Sequence, residues 1–392
     1  MMKDFFNRDL SGDARRMSGV AIAVCAVALA AASFTASTGT GESKTVERDA
    51  DRLVPASTDT SEQASNRIAP DTESERQDRS KDFIVAGWLP FWDTDEGMRS
   101  VRDFPGALDE VSPFWYESRD DGQVASSPKP ERPEIVKSLR ALGQRILPTI
   151  RAFDATATSS IITDDKKRAF HIERIVELAV NRGYDGIDID YESVRPEDRD
   201  AFSRFIRELG PALRARGKIL VTTVYAKTSF PGSPGSSYGH DYQAVGEVSD
   251  RVRIMAYDQH YPGGPPGPVA SVAWVERVLD YAVTKIPREK IILGIPAFGY
   301  DWPVAGGRAA SVVHDDAAGL SLSHNAPVEW DEVAQSPFFR YDAGSGEHIV
   351  WFENNRSLQA KVGLARKFGV GGIVIWRLGR EDKDFFRFLS QF

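Results

Sequence analysis

Eight short apolar runs separated by amphipathic stretches constrain this chain most. They fall at residues 83–88, 110–114, 146–151, 186–192, 219–225, 252–257, 291–298 and 372–376. Between them, segments such as 164–182, 196–216, 271–286 and 357–368 space their apolar residues for a helix, begin with Asp, Pro or Ser and end near Gly or Pro, as helix termini do. Strands that alternate with helices favour a parallel sheet, because a parallel neighbour is reached only through a long crossover. Eight such units predict a closed (β/α)8 TIM barrel of the α/β class. The seventh unit is interrupted between residues 301 and 352 by segments marked with Pro and Gly. A hairpin is expected there, 338–341 against 348–351 across the turn at 342–346, so this stretch is read as a small α+β insertion. No internal repeat is visible.

The N-terminal residues follow other rules. Arg15 and Arg16 precede an apolar stretch from about Val20 to Ala32 with small residues after it, the layout of an export signal or, if uncut, of a membrane anchor. Residues 1–37 are therefore assigned to a signal or anchor, with membrane attachment through 17–36. Cys25 is the only cysteine; Val24 before it makes lipid modification the lesser alternative. Residues 38–81 are rich in Ser, Thr, Asp, Glu and Arg without periodicity, which predicts a disordered tether. The barrel is expected over 82–392, outside the cytoplasm, secreted or tethered to the outer face of the cytoplasmic membrane, as a monomer. That part contains no thiol, which excludes disulfides, Cys-ligated zinc and a cysteine nucleophile. A net charge of -8 argues against a nucleic-acid partner, since phosphate binding needs a basic surface.

The chemistry concentrates in Asp185-Gly186-Ile187-Asp188-Ile189-Asp190-Tyr191-Glu192. On a strand, side chains two apart share a face at roughly 6–7 Å, so Asp188, Asp190 and Glu192 form one row while Ile187, Ile189 and Tyr191 face away. Three like charges so close cannot all ionise freely, which raises at least one pKa and keeps Glu192 available as a general acid near neutral pH. Two plainer alternatives exist: a surface strand with an acidic polar face, and a hard-cation site for Mg²⁺ or Ca²⁺. In a (β/α)8 barrel the active site lies at the C-terminal ends of the strands. Glu192 ends the fourth strand there. Met255, Tyr257 and Asp258 end the sixth, Trp376 the eighth and Trp88 the first, while Tyr300 follows the seventh. Aromatic rings thus gather where the acids are, as stacking on the apolar face of a sugar requires.

The octapeptide matches the DGxDxDxE signature of glycoside hydrolase family 18, whose members are chitinase-like (β/α)8 barrels. Met255-Ala256-Tyr257-Asp258 resembles the family's sixth-strand motif, and Gly371-Gly372-Ile373-Val374-Ile375-Trp376 its last strand. Tyr257-Asp258-Gln259-His260, Gly267-Pro268-Val269-Ala270-Ser271, Lys290-Ile291-Ile292-Leu293-Gly294-Ile295-Pro296 and Trp376-Arg377-Leu378-Gly379 are most similar to the bacterial branch of spore-cortex-lytic and cell-wall N-acetylglucosaminidases. The third strand, Leu147-Pro148-Thr149-Ile150-Arg151, lacks the Ser-x-Gly-Gly pattern of many chitinases.

The resemblance implies retaining, substrate-assisted hydrolysis. Glu192 would be the acid, Asp190 would hold the acetamide N–H, Asp188 would share a proton with Asp190, and Tyr257 would donate to the acetamide oxygen. Trp376 would floor the subsite, with Met255, Asp258, Trp88 and Tyr300 as further substrate-binding residues. The expected partner is a polysaccharide, peptidoglycan or chitin; endoglycosidase action on other glycans and a non-catalytic lectin on the same barrel are the alternatives. No cofactor or metal is expected. The six histidines are scattered without a His-Glu-x-x-His, and Gly263-Gly264-Pro265-Pro266-Gly267-Pro268 has too much proline to present the successive N–H groups of a phosphate loop.

Overall fold

The computed structural model describes residues 83–127, 132–232, 236–379 and 381–391. The expected signal or anchor and tether lie outside the described residues. Among the described residues no helix is long and apolar enough to cross a membrane.

The eight strands are β1 (Ile84–Pro90), β2 (Glu110–Phe114), β3 (Thr149–Ala152), β4 (Gly186–Tyr191), β5 (Ile219–Tyr225), β6 (Arg251–Met255), β7 (Ile291–Pro296) and β8 (Gly372–Trp376). All neighbours run parallel. β1 lies between β8 and β2, with Ile84 opposite Gly372 and Ala86 opposite Glu110. The ring closes where two strands are each broken once. β2 resumes after Trp115 as Tyr116–Ser118, and β3 is preceded by the short strand Arg145–Ile146. Val111 pairs with Ile146 and Tyr116 with Ile150, and the Leu147 N–H donates to the Val111 carbonyl at 3.1 Å. Pro148, which has no N–H, sits at the break expected to be continuous strand 146–151. The protein is a (β/α)8 barrel.

Helices ring the barrel, and their starts follow capping chemistry. Asp164 accepts from the N–H groups of Lys166 and Lys167 at the head of Asp165–Asn181. Ser271 caps Val272–Ala282, and Asn354 with Ser357 forms a reciprocal capping box before Asn355–Phe368. The long segment 196–216 is a 3-10 turn, Pro196–Asp198, followed by the helix Arg199–Arg214. The expected hairpin is present and longer, Ser336–Asp342 against Glu347–Trp351, with Phe338 opposite Trp351. It belongs to a five-stranded antiparallel sheet that begins at Gly299–Pro303 and carries the helix His314–Ser323. This sheet has its own apolar cluster around Phe339 and Val350, while Trp302, Ile349 and Trp351 join the barrel's core.

Candidate active site

All six residues of β4 are buried. Ile187, Ile189 and Tyr191 face the helices, and the acids face the barrel interior, so the surface-strand alternative is overturned: neither face of this strand meets solvent. The acids rise along the barrel in three distinct environments.

Asp188 is lowest and is held by four donors. Its Oδ2 accepts from Trp88 Nε1 at 2.9 Å, Thr149 Oγ1 at 2.8 Å and Arg253 Nη1 at 2.9 Å, and its Oδ1 from Thr223 Oγ1 at 2.7 Å. Arg253 is 0% exposed and also donates to Ser112 Oγ at 2.6 Å. Its guanidinium lies 5.2 Å from the Trp88 ring centre, with Glu110 Oε2 at 3.7 Å from Nη2. These donors and the paired cation satisfy both oxygens of the buried carboxyl group.

Asp190 is the opposite case. It is 1% exposed, and neither carboxyl oxygen has a partner among the described residues. Burial drives its pKa well above the ordinary range, the charges of Glu192 and Asp188 add to this, and Arg151 and Arg253 oppose it. No hydrogen bond joins Asp190 to Asp188 in this structure.

Glu192, just past the end of β4, is 4% exposed. Its Oε2 accepts from the Tyr225 hydroxyl at 2.6 Å, and Oε1 has no partner among the described residues. Burial raises its pKa from 4.5 to about 7; the Tyr225 bond opposes the rise and Asp258 adds to it. Such a value suits a general acid working near neutrality. The hydroxyl of Tyr257 also lacks a protein partner, and burial followed by the nearby Asp190 and Glu192 charges pushes its pKa far up, so the phenol keeps its proton.

The remaining expected residues are distributed around this row. Trp376 is buried and meets Trp88, Trp92 and Phe114 edge to face at 5.8, 6.3 and 5.4 Å; the Trp376–Arg377 peptide is cis. Trp88 has no exposed surface and its indole N–H is engaged by Asp188, so it supports the acid row and is not open to substrate as expected. Met255 is buried at the end of β6. Asp258 takes a left-handed backbone, φ 59, and accepts from the Tyr300 hydroxyl at 2.6 Å. At the same barrel end Trp92, Phe153, Tyr225 and Asp258 are partly exposed, so the acids open toward the C-terminal rim. His260 bonds to the Pro265 carbonyl in the loop above. Among the described residues no cluster of His, Cys, Asp and Glu has the arrangement of a metal site.

Three functional neighbours escaped the sequence-based expectations. Arg253 was visible as a charge inside an apolar strand, a pattern that calls for a buried partner. Arg151, opposite Asp190 in the β3–β4 register, bonds to Ser127 Oγ at 2.6 Å and Glu117 Oε2 at 2.7 Å. Tyr225 carried one signal only, its place at the end of β5.

Comparison with known proteins identifies relatives of this chain. The model of glycosyl hydrolases family 18 matches residues 152–381, and the cortical fragment-lytic enzyme of Bacillus subtilis is 33% identical over 289 residues, 72% of this chain and 67% of that one. The chain belongs to glycosyl hydrolase family 18. It is thus a glycoside hydrolase, and its substrate is a polysaccharide. Among solved structures, the chitinase of Chromobacterium violaceum aligns with a TM-score of 0.75 at 29% identity, covering 79% of this chain and 98% of that one. The spore cortex-lytic enzyme SleL of Bacillus cereus aligns with a TM-score of 0.73 at 31% identity, covering 79% and 74%.

Proposed function

We propose that this enzyme hydrolyses β-1,4-linked polysaccharide containing N-acetylglucosamine, peptidoglycan first, with retention and with the substrate's own acetamide as nucleophile. One observation carries the proposal: at one barrel end both oxygens of Asp190, Oε1 of Glu192 and the hydroxyl of Tyr257 are buried without a partner among the described residues. Most buried polar groups in native proteins are paired, so unpaired ones gathered around one row of acids call for an explanation such as a bound ligand. These three offer an acceptor, an acid and a donor, the set that an acetamide N–H, a glycosidic oxygen and an acetamide C=O require.

In the first step Glu192 gives its proton to the glycosidic oxygen as the C1–O bond breaks, and the acetamide oxygen bonds to C1 to form an oxazolinium ion. Asp190 passes its proton to Asp188 as it turns, so that its carboxylate accepts the acetamide N–H and balances the positive charge, and Tyr257 donates to the acetamide oxygen. In the second, Glu192 takes a proton from water, which attacks C1 and opens the ring with the original configuration. Trp376 supports the distorted sugar.

Peptidoglycan is favoured because the Bacillus relatives are described as cortex-lytic; likeness to a chitinase supports chitin as the second candidate. The apolar segment 17–36 supports action outside the cytoplasm, where the wall polymer lies. Glu192→Gln is expected to lose about 10²–10⁴-fold in turnover while keeping its fold and its affinity for acetylated oligosaccharides. Mass spectrometry of products from peptidoglycan and from chitin oligomers separates the two polymers, and rapid cleavage of glucans without an N-acetyl group would remove the substrate-assisted route.

A further inference from the structure

The hydroxyl that touches Glu192 is held by an unusually complete bracket. Tyr225 ends β5, and the loop that follows returns His240 to a fully buried position between β4 and β5. His240 Nδ1 accepts from the Tyr225 backbone N–H at 3.2 Å, and Nε2 lies 3.0 Å from the Tyr191 carbonyl. These two partners require the neutral tautomer with hydrogen on Nε2. One imidazole therefore ties the last residue of β5 to the residue immediately before Glu192. The Tyr225 ring stacks on that imidazole at 5.8 Å and 21°. The Tyr242 hydroxyl donates to the Tyr225 carbonyl at 2.6 Å, and Lys227 Nζ donates to the His240 carbonyl. Backbone donor, backbone acceptor and ring face of Tyr225 are all engaged, and only the phenol oxygen is directed at the acid.

We propose that Tyr225 is a positioning residue that confines the reactive proton of Glu192 to Oε1, with His240 as the bracket that aims it. A carboxylic acid carries its proton on one oxygen. With Oε2 accepting from Tyr225 at 2.6 Å, the hydrogen belongs on Oε1, the oxygen without a protein partner. During the first step the Oε1–H bond breaks and the hydrogen bonds to the leaving oxygen, while Tyr225 keeps its own proton and stabilises the new carboxylate. The other ionisable groups facing Glu192 are Asp190 on the same strand and Tyr257 and Asp258 after β6. Among the described residues, Tyr225 alone donates to the Glu192 carboxyl. This deepens the function proposed above and rests on Glu192 being the acid.

The test is the pH profile of the full chain on a soluble β-1,4 N-acetylglucosamine tetramer. Tyr225→Phe removes one oxygen and should lower kcat about ten-fold, leave KM within two-fold, and move the basic limb of kcat upward by about one pH unit, because a hydrogen bond to the charged form is lost. Placing 3,5-difluorotyrosine at 225, a stronger donor, should move the same limb downward. His240→Gln should shift it in the same direction as Tyr225→Phe, and the double variant should add little. If the limb stays fixed in Tyr225→Phe and in the fluorinated enzyme while Glu192→Gln is inactive, Tyr225 is an idle contact and the proposal is overturned. An active Glu192→Gln enzyme would instead remove the acid assignment itself.

Discussion

At the scale of single residues, the site consists of carboxyl groups placed where water does not stabilise their charge. Glu192 has a folded-state pKa of about 7 against an ordinary 4.5, so the folded protein binds the proton more tightly than the unfolded chain does. Its contribution to stability is neutral below pH 4.5, becomes increasingly unfavourable as the pH rises toward 7, and stays so above, a penalty of about 3 kcal/mol at most. Glu192→Gln should therefore raise the melting temperature at pH 8 by clearly more than at pH 4; equal gains at both would mean that the carboxyl is not buried against its charge. Arg253 poses the reverse problem. Arg253→Met leaves the Asp188 carboxyl buried without its cation, and should cost about 3–5 kcal/mol in urea unfolding. The acid row was legible because a strand has a period of two, which a single octapeptide displays. Tyr225 and His240 were not, because their partner lies 33 residues from one and their bracket forms only when β4 and β5 are side by side.

At the scale of elements, the barrel strands are recognisable because each buries both faces and therefore reads as an apolar run. Their ends were less legible. β3 breaks at Pro148, and β6 stops at Met255 so that Tyr257 and Asp258 leave the sheet in the turn that Asp258 makes possible. Short helices such as Thr94–Asp103, Ala155–Thr163 and Tyr242–Val248 carry too few turns for a clear periodicity and were not expected individually. Close strand contact sets further demands. A Cβ at Gly186 would collide with the carbonyl and side chain of Ile219, at the start of the β4–β5 pairing. Gly186→Ala is expected to destabilise by about 1–3 kcal/mol through overpacking and to lower turnover by shifting the acid row, both checked by denaturation and kinetics on the same preparation.

At the scale of the whole molecule, the inserted sheet and the barrel are joined by shared packing. Ala334 accepts from the Val272 N–H at 3.0 Å, the first residue of a barrel helix, and Trp302 and Trp351 pack into the main core. Phe339 is fully buried in the insertion's own cluster. Phe339→Ala should cost about 3–5 kcal/mol and shift a single calorimetric transition as a whole; a second, earlier transition would show that the insertion melts alone.

By itself the sequence determined the repeating strand–helix pattern, hence the barrel, and the alternation that lines up Asp188, Asp190 and Glu192, because both follow from short-range periodicity. Only the tertiary structure decided which acid is which. Asp188 is held by four donors from four other strands, while Asp190 and one oxygen of Glu192 are buried without partners among the described residues. Charge, proton and orientation at this site depend on neighbours brought together by barrel closure, and no local spacing encodes them.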